Sequence, residues 1–452
     1  MSFAARGCAI LLAALALAAC SDPSDAPQPN VIVLFSDQHR WHSMGHSEMP
    51  ELQTPSLDRL AAEGASFTHA ISNYPLCAPF RAMLLSGRWP YQTGVIDNGF
   101  GLRAHEPTIA TAFRAAGYVT GYVGKLHLAN WTATAFGFDS SIVWQDSDDH
   151  AGGRWVGAVR DVWHQNEEGY NARVMSEQAL AFVERHRSRP WLLMLSWNPP
   201  HAVFTDAPAE KRALYPEGAL SYRRNYRPPQ QLASPFASYQ GYHAHISAID
   251  DEIGRVLARL EALDLDRPTI VIYTSDHGAM QGSFGLSNKR FPYEESIRIP
   301  FLVRAPGLVP AGTQVDAVFG AIDMAPTIAG LAGVPPLPDW AGQDHSPWLR
   351  GEPGPEPAGQ PIFHILNRRT EHLPPARRPA PRFRGFRTAR WTYAVRSDGP
   401  WLLFDNAADP YQLHNLAEDP DHAQKRSELA DQIAAWLEKA EDPFVLPPSA
   451  WQ

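Results

Sequence analysis

Two kinds of hydrophobic pattern alternate along the chain. Continuous apolar runs are typical of strands buried on both faces of a parallel sheet, and apolar residues spaced three or four apart are typical of amphipathic helices. The runs predict strands at Val31–Phe35, Tyr118–Val123, Trp191–Trp197, Thr269–Thr274 and Phe301–Arg304. Helices are predicted at Thr54–Gly64, Pro107–Gly117, Tyr170–Arg187, Phe236–Leu263 and Ala317–Leu331. The first has Thr54 at the N-cap, Pro55 at the first helical position and Gly64 past its end, and the second repeats that arrangement. This alternation predicts an α/β fold, in which a large, mostly parallel sheet is flanked by helices on both faces.

The pattern changes after Leu349, where segments rich in proline and glycine begin. Short strand-like runs follow at Pro361–Leu366, Trp391–Val395 and Trp401–Phe404, and a helix is predicted around Arg426–Ala440. We therefore expect a main domain at residues 30–350 and a smaller α+β subdomain at residues 351–452.

The first twenty residues have the pattern of a signal peptide. Arg6 precedes the apolar stretch Ala9–Ala19, which is too short to span a bilayer as a mature helix. Small residues directly before Cys20 resemble a bacterial lipobox, so residues 1–20 are predicted to be the signal and Cys20 the lipidated residue. An ordinary secretory signal that leaves Cys20 in place by chance is the alternative. Both interpretations predict that the chain is exported.

Lipidation at Cys20 would anchor the protein to a membrane, with residues 21–29 as a tether. We expect a periplasmic or cell-surface lipoprotein. Ser21 directly after the lipidated residue favours the outer membrane, by resemblance to lipoprotein sorting signals.

Cys77 is the cysteine that the signal peptide does not explain. The chain has 452 residues and three cysteines, and cleavage before Cys20 would remove Cys8. Pro79 is well placed in the first turn of a helix running through Leu84, which puts residue 77 at the helix N-terminus, where free amides favour an anion. Arg81 follows one turn later. This arrangement suits a nucleophile and an anionic substrate, whereas a buried inert cysteine is the simpler interpretation.

Polar residues follow the ends of three predicted strands. Asp37, His201 and Asp276 lie at or just after such ends, where ligands bind in open parallel sheets. Gln38 and His277 are adjacent to the two aspartates, and together these side chains form a donor set suited to a divalent cation. The formal net charge of −9 gives no support for a nucleic-acid partner.

The motif around Cys77 resembles the signature of the sulfatase family in the alkaline phosphatase superfamily. Cys77, Pro79 and Arg81 match the pattern Cys-x-Pro-x-Arg, and apolar residues and Gly87 follow. Phe80 stands where the family more usually has a small residue. Further segments resemble family motifs in the expected order: Asn30–Arg40, Gly124–His127, Asn198–His201, Thr274–Gly278, Lys289, Tyr293–Pro300 and Asp409–Leu416. The resemblance covers nearly the whole mature chain.

The resemblance implies a specific set of groups at the site. Cys77 would be converted to formylglycine by a formylglycine-generating enzyme during synthesis, and the hydrate of that aldehyde would be the nucleophile. A divalent cation, calcium, would contact the hydrate at position 77, and its protein ligands would be Asp37, Gln38, Asp276 and His277. Many sulfatases have Asp where this chain has Gln38 and Asn where it has His277.

The resemblance also implies a reaction. Arg81 and Lys125 would stabilise the ionised hydrate, which attacks sulfur, while His201 or Lys289 gives a proton to the leaving alcohol. His127 would then take the proton of the second hydroxyl, so that sulfate is expelled and the aldehyde is regenerated. The substrate would be a sulfated small molecule or polysaccharide.

Two other functions are compatible with the sequence. Gln38 and His277 resemble the phosphonate monoester and phosphodiester hydrolases of the same superfamily, which can share the formylglycine precursor. A lipoprotein that binds glycans without catalysis is the other alternative if Cys77 stays a thiol. Mass spectrometry of the peptide that contains Cys77 separates this last alternative from the two enzymes.

Two segments bear on the substrate. Eight arginines lie between Arg368 and Arg390, and they either bind a sulfated polysaccharide or belong to a solvated loop. The polar stretch Ala129–Asn166 contains four tryptophans that either stack on sugar rings or arenes, or pack in the interior: Trp131, Trp144, Trp155 and Trp163.

Overall fold

A computed structural model describes most of the chain. The described residues are 27–128, 132–145, 149–151, 154–157, 169–230, 232–354, 359–365 and 382–452. The predicted signal peptide, Cys20 and most of the predicted tether lie outside these ranges. So do Trp131 and Trp163, while at Trp155 only the backbone is described.

The main sheet has nine strands in the order β5-β4-β3-β6-β1-β7-β8-β2-β9. Five of its neighbouring pairs are parallel, and the three pairs β4–β5, β7–β8 and β8–β2 are antiparallel. The prediction of a mostly parallel sheet is therefore confirmed. The strands are β1 Asn30–Ser36, β2 Ala65–Ile71, β3 Val119–Lys125, β4 Ser140–Gln145, β5 Arg154–Gly157, β6 Trp191–Ser196, β7 Thr269–Ser275, β8 Phe301–Arg304 and β9 Thr313–Gly320.

Helices cover both faces of this sheet. Along β1, Val31, Val33 and Phe35 face one hydrophobic cluster, and Ile32 and Leu34 face another. Both faces are apolar because both are buried, which explains the continuous hydrophobic runs. The helices are α1 Pro55–Glu63, α2 Cys77–Ser86, α3 Pro90–Thr93, α4 Ile109–Ala115, α5 Asn171–Arg185, α6 Ala209–Arg212, α7 Pro235–Ala262, α8 Glu294–Ile297, α9 Ala321–Leu331, α10 Ser346–Leu349 and α11 Ala423–Lys439.

The C-terminal part forms a second, antiparallel sheet. Its four strands follow one another in chain order as β10 Gln360–His364, β11 Phe383–Arg387, β12 Trp391–Arg396 and β13 Gly399–Asp405. Helix α11 packs beside this sheet, and Trp436 on that helix stacks on Phe363 of β10 at 4.7 Å. Its apolar residues join the same hydrophobic cluster as α2, α4 and α9.

Two predicted helices need correction, and several strands were not predicted. The predicted helix Ala317–Leu331 begins only at Ala321, because residues 317–320 complete strand β9 and pair with β2. The helix predicted from Pro107 begins at Ile109, since the Thr108 side chain accepts the Ala110 amide and so caps it. Strands β2, β4, β5, β9 and β11 were not predicted. The sequence of β11 alternates arginine with aromatic residues and glycine, so it lacks a continuous apolar run.

The start of α1 also differs from its sequence signature. Thr54 precedes the helix but makes no capping bond with its side chain. Instead, the Asp250 carboxylate of α7 accepts the free amides of Ser56 and Leu57 at 2.9 and 2.8 Å. Among the described helices, none combines the length and the hydrophobicity of a transmembrane segment.

Candidate active site

Four neighbouring parallel strands, β3, β6, β1 and β7, end at one edge of the main sheet. Lys125 and Ser196 are the last residues of β3 and β6, and Asp37 and Asp276 directly follow β1 and β7. All four are buried. Residues far apart in sequence therefore meet because their strands are adjacent and point the same way.

Arg81 of α2 connects these four strand ends. Its Nη1 donates to the Lys125 carbonyl at 2.6 Å and to Ser196 Oγ at 2.8 Å. Its Nη2 donates to Asp37 Oδ2 at 3.0 Å and to Asp276 Oδ2 at 3.2 Å. The guanidinium also lies 4.7 Å from the centre of the Phe35 ring. These contacts fix α2, and with it Cys77, over the ends of the strands.

Cys77 occupies the first turn of α2, as the sequence predicts. Its sulfur lies 3.3 Å from His277 Nε2 and 3.5 Å from Lys289 Nζ. The next helical amide, that of Ala78, donates to Asn98 Oδ1 at 3.0 Å. The thiol is buried and has no disulfide partner among the described residues. The Cys77 sulfur marks the position that the hydrate oxygens of a formylglycine would take.

The charges around Cys77 favour an anion there. Burial and the Asp37 carboxylate act to raise the pKa of the thiol, but Lys289 and His277 hold it well below its usual range. A hydrogen bond with His127 acts in the same direction. The same surroundings would stabilise an ionised oxygen on residue 77.

Phe80 does not enter the pocket. It is fully buried and stacks on Phe35 with 5.9 Å between ring centres. The residue that departs from the usual family pattern therefore packs in the core behind Cys77.

Asp37 has one paired and one unpaired carboxylate oxygen. Its Oδ2 accepts from Arg81 and lies 2.8 Å from Lys125 Nζ, whereas its Oδ1 has no hydrogen-bond partner although it is buried. Burial acts to raise the pKa of Asp37, but the surrounding positive charges, Lys125 foremost, hold it well below its usual range. An ionised, buried and unpaired oxygen is costly unless it binds a cation.

The unpaired oxygen belongs to a four-residue cluster. Asp37, Cys77, Asp276 and His277 each present a ligand atom, and these atoms lie within 4.8 Å of one another. Burial and the nearby Asp37 carboxylate raise the pKa of Asp276 to about 6. A cation between the two carboxylates would relieve their repulsion, so the donor set fits a divalent ion.

Gln38 lies at the edge of this cluster, and its conformation is unusual. Its φ is 75°, and its amide N–H donates to Asp276 Oδ1 at 2.9 Å. Its side-chain Oε1 accepts from Lys289 Nζ at 2.8 Å. A carbonyl oxygen has two lone pairs, so this contact leaves one for a cation.

The two candidate acid–base histidines follow two neighbouring strands, β3 and β6. His127 follows β3 and has a φ of 54°. His201 follows β6, and its Nδ1 is 2.7 Å from the Ala202 carbonyl. Burial, together with Lys125 and Lys289, holds the pKa of His201 well below its usual range. The structure thus brings the predicted residues together around Cys77.

Three supporting residues were not predicted. Ser196 donates to the Lys125 carbonyl at 2.8 Å and accepts from Arg81. Asn198 Oδ1 accepts from Lys125 Nζ at 3.2 Å, and Asn98 holds the start of α2. The polar Ser196 at the end of an apolar run is a sequence signal of such a role, whereas nothing in the local sequence marks Asn98.

The arginine-rich segment is described only from residue 382 onward. Arg384 is fully buried and forms a double ion pair with Asp442, at 2.6 and 2.9 Å. Arg387 pairs in the same way with Glu294, at 2.7 and 3.1 Å. These two arginines therefore stabilise the fold. Arg368 and its neighbours up to residue 381 lie outside the described residues. Of the four tryptophans in the stretch 129–166, Trp144 is buried in the core.

Sequence comparison assigns the family. The profile of the sulfatase family matches residues 29–334. The chain belongs to the sulfatase family. A second profile, described as N-sulphoglucosamine sulphohydrolase, C-terminal, matches residues 282–439.

Curated relatives agree with this assignment. An ulvan-active sulfatase from Formosa agariphila is 32% identical over 96% of this chain and 87% of its own length. An N-acetylglucosamine-6-O-sulfatase from Bacteroides thetaiotaomicron is 28% identical, and the match covers 92% of this chain and 88% of the relative. The protein is therefore a hydrolase that acts on sulfate esters.

Solved structures share the fold. One, in complex with its substrate D-glucosamine-2-N,6-O-disulfate, has a TM-score of 0.80 at 24% identity and covers 92% of this chain and 99% of that one. A phosphonate monoester hydrolase of Agrobacterium radiobacter has a TM-score of 0.74 at 21% identity, with coverage of 91% and 96%.

Proposed function

We propose that this sulfatase removes sulfate from a sulfated carbohydrate, with the hydrate of a formylglycine derived from Cys77 as nucleophile and a calcium ion beside it. The observation that carries the proposal is the surroundings of Cys77. The residue begins a helix, contacts Lys289 and His277, and belongs to the same cluster as Asp37, whose Oδ1 is buried without a partner.

The cation would be held by Asp37, Asp276, His277 and Gln38. When bound, it would act as a Lewis acid and orient the sulfate group. The unpaired Asp37 oxygen and the raised pKa of Asp276 both favour a positive ion at this point. Many sulfatases have Asp where this chain has Gln38, so this ligand set has one carboxylate fewer and is less negative than theirs.

The basic residues have distinct positions around residue 77. Arg81 and Lys125 place positive charge against Asp37 at the ends of the strands, and Lys289 places it directly at the sulfur. Such fixed charges neutralise the transferring group without reorganisation, which is usually the largest contribution in chemistry of this kind. Lys289 or His201 would protonate the leaving oxygen, and His127 would accept a proton from residue 77.

A sulfated carbohydrate is the favoured substrate class. The ulvan-active sulfatase and the N-acetylglucosamine-6-O-sulfatase match nearly the whole chain, and the first exceeds 30% identity. A structural neighbour holds a sulfated glucosamine. These likenesses favour a sugar sulfate over an aryl sulfate as the natural substrate.

Mass spectrometry of the peptide spanning Cys77 tests the nucleophile. We expect the mass of formylglycine in protein from the native host, together with sulfate release from glucosamine 6-O-sulfate. An unmodified thiol in protein that releases sulfate would contradict the proposed mechanism.

Calcium binding is tested without an activity assay. We expect added Ca²⁺ to raise the melting temperature of chelator-treated protein, because a ligand that binds only the folded state stabilises it. The Asp37→Asn variant should lose this shift, while Asp316→Asn, which alters an exposed carboxylate remote from the cluster, should keep it. Equal shifts in both variants would place calcium elsewhere.

A phosphonate monoester or phosphodiester hydrolase is the second candidate. It is favoured by Gln38 and His277 and by the fold shared with the Agrobacterium radiobacter enzyme. Sulfate esters and phosphonate monoesters both present one negative charge, so the same basic residues suit either. We expect kcat/KM for an aryl sulfate to exceed that for an aryl phosphonate monoester, and the reverse order would favour this second candidate.

We also propose that the enzyme is exported and anchored through a lipid on Cys20. The motif before Cys20 supports this, and no nucleic-acid partner is expected. The Cys20→Ala variant should move from the membrane fraction to a soluble fraction and keep its turnover per molecule. Retention of the variant in the membrane would count against the anchor.

A further inference from the structure

A second group of metal-ligating side chains lies outside the active site. His150, Asp206 and His245 each present a ligand atom, and these atoms lie within 4.8 Å of one another. His150 Nδ1 lies 2.9 Å and His245 Nε2 lies 3.2 Å from the same oxygen, Asp206 Oδ1. Both histidines are fully buried. None of the three takes part in the chemistry proposed for Cys77.

We propose that His150, His245 and Asp206 bind a divalent first-row transition cation such as Zn²⁺. In a tetrahedral zinc site with bonds of 2.0–2.2 Å, neighbouring ligand atoms lie about 3.3 Å apart. The two separations to Asp206 Oδ1 are close to this value, so shifts of a few tenths of an ångström would admit the ion. Two imidazoles and one carboxylate select such a cation over calcium, which prefers oxygen ligands.

Neighbouring groups already orient the ligands, as second-shell partners do in metal sites. Asp206 Oδ2 accepts the backbone amide of His150 at 2.8 Å. The hydroxyl of Tyr170 lies 2.9 Å from His245 Nδ1, so it can accept the proton that a metal-bound ring carries on that nitrogen. Asp206 is partly exposed, which leaves a route for the ion and for water as a fourth ligand.

The site would join three segments that are distant in sequence. His150 belongs to the short segment that pairs through Ala151 with Tyr170 at the start of α5. Asp206 lies in the loop that carries His201, and His245 lies on α7. The carbonyl of Val203 in that loop is also 3.1 Å from His245 Nε2. A bound ion would hold the His201 loop against α7, which gives the site a structural role.

Cobalt provides a spectroscopic test, because a tetrahedral Co²⁺ site with nitrogen ligands absorbs visible light. Full-length protein is first saturated with Ca²⁺ to fill the active-site cluster and then titrated with Co²⁺ or Zn²⁺. We expect one ion per chain and visible absorption bands that Zn²⁺ displaces. Absence of the bands under these conditions would overturn the proposal.

Variants assign the bands to the three residues. The His245→Gln and Asp206→Asn variants should bind Co²⁺ at least about 100-fold more weakly, and Tyr170→Phe about 10- to 100-fold more weakly. His69→Gln is a matched control, since His69 Nε2 also meets a carboxylate, Asp316, at 3.0 Å, and it should keep wild-type binding. Bands that survive in His245→Gln and vanish in Asp276→Asn would place the ion in the active site and overturn the proposal.

X-ray absorption at the zinc edge covers the case in which a variant fails to fold. It requires only the wild-type protein loaded with one Zn²⁺ in the presence of Ca²⁺. We expect scattering from two imidazole rings. One ring, or a sulfur neighbour, would instead indicate His277 or Cys77 and would refute the assignment.

Discussion

Arg81 and Arg384 are both buried and paired with carboxylates, but of these two pairings only that of Arg384 is complete. At Arg384, both oxygens of Asp442 accept from the guanidinium, and Asp442 Oδ1 also accepts the Phe444 amide at 3.0 Å. At Arg81, the partner Asp37 has its Oδ1 buried and unpaired. The two pairs are alike in residue type and burial.

The difference shows how a functional ion pair can be told from a structural one. In a closed pair, such as Arg384–Asp442 or Arg387–Glu294, both carboxylate oxygens accept hydrogen bonds from the arginine, so neither is left for a cation. We call Arg81–Asp37 the open pair, because it leaves one carboxylate oxygen unpaired. That oxygen belongs to the cluster around Cys77, where Lys125 and Lys289 add positive charge. Changes in the open pair should therefore alter activity, whereas changes in the closed pairs should alter stability.

The largest effect is expected at Cys77, which lies in the same cluster as Asp37 of the open pair. Cys77→Ala removes the precursor of the nucleophile and should lower kcat at least about 10³-fold, since losing a nucleophile removes the covalent route. Its melting temperature should stay near that of the wild type, because Ala fits the first turn of α2. Cys20→Ala is the control for loss of a cysteine as such. Substantial turnover by Cys77→Ala would refute the role of residue 77.

Arg81→Lys tests the open pair itself. The substitution keeps one positive charge but cannot reach all four strand ends, because lysine lacks the planar fork of arginine. We expect kcat to fall about 10²- to 10³-fold, comparable to the loss of one charge-stabilising group. Arg88→Lys is the matched control, since Arg88 pairs with Glu106 just beyond α2, and its kcat should stay within a few-fold of wild type. Equal losses in both variants would indicate a general effect on α2.

The sequence predicted the open pair better than the closed ones. Cys77, Pro79 and Arg81 lie within one turn and a half of helix, so their spacing alone places the cysteine at the N-terminus and the arginine nearby. The strand ends at Asp37 and Asp276 follow from two apolar runs. Local rules therefore sufficed for most of the candidate site.

Contacts through space were not predictable in the same way. Arg384 and Asp442 are 58 residues apart, and a polar side chain in an arginine-rich run gives no indication of whether it points inward. Residues 317–320 read as helix because a buried strand and a buried helix turn are both apolar, and pairing with β2 decides between them. The cluster of His150, Asp206 and His245 likewise depends on tertiary packing.

Arg384→Met breaks a closed pair and should leave catalysis intact. The substitution leaves the buried Asp442 carboxylate without its charged partner, which typically costs about 3–5 kcal/mol of folding free energy. Chemical unfolding measures this loss, while turnover per folded molecule should stay close to wild type. Arg396→Met removes the exposed pair with Asp398 and should cost less than about 1 kcal/mol. A fall in kcat for Arg384→Met without a loss of stability would remove the distinction between closed and open pairs.

The second closed pair should show its contribution through pH. Burial acts to raise the pKa of Glu294, but Arg387 lowers it to about 2, below its ordinary value of 4.5. Because the folded-state pKa is the lower one, the pair stabilises the protein fully above about pH 4.5, and this contribution is lost as the pH falls toward 2. The shift corresponds to about 3 kcal/mol at most.

We therefore expect the difference in unfolding free energy between wild type and Glu294→Gln to shrink as the pH falls from 6 to 3. The difference is informative because acid also weakens other carboxylate pairs equally in both proteins. Glu428→Gln alters an exposed carboxylate and should show no comparable trend. A wild-type advantage that stays constant over this range would mean that Glu294 stabilises the junction of α8 and β11 by packing rather than by charge.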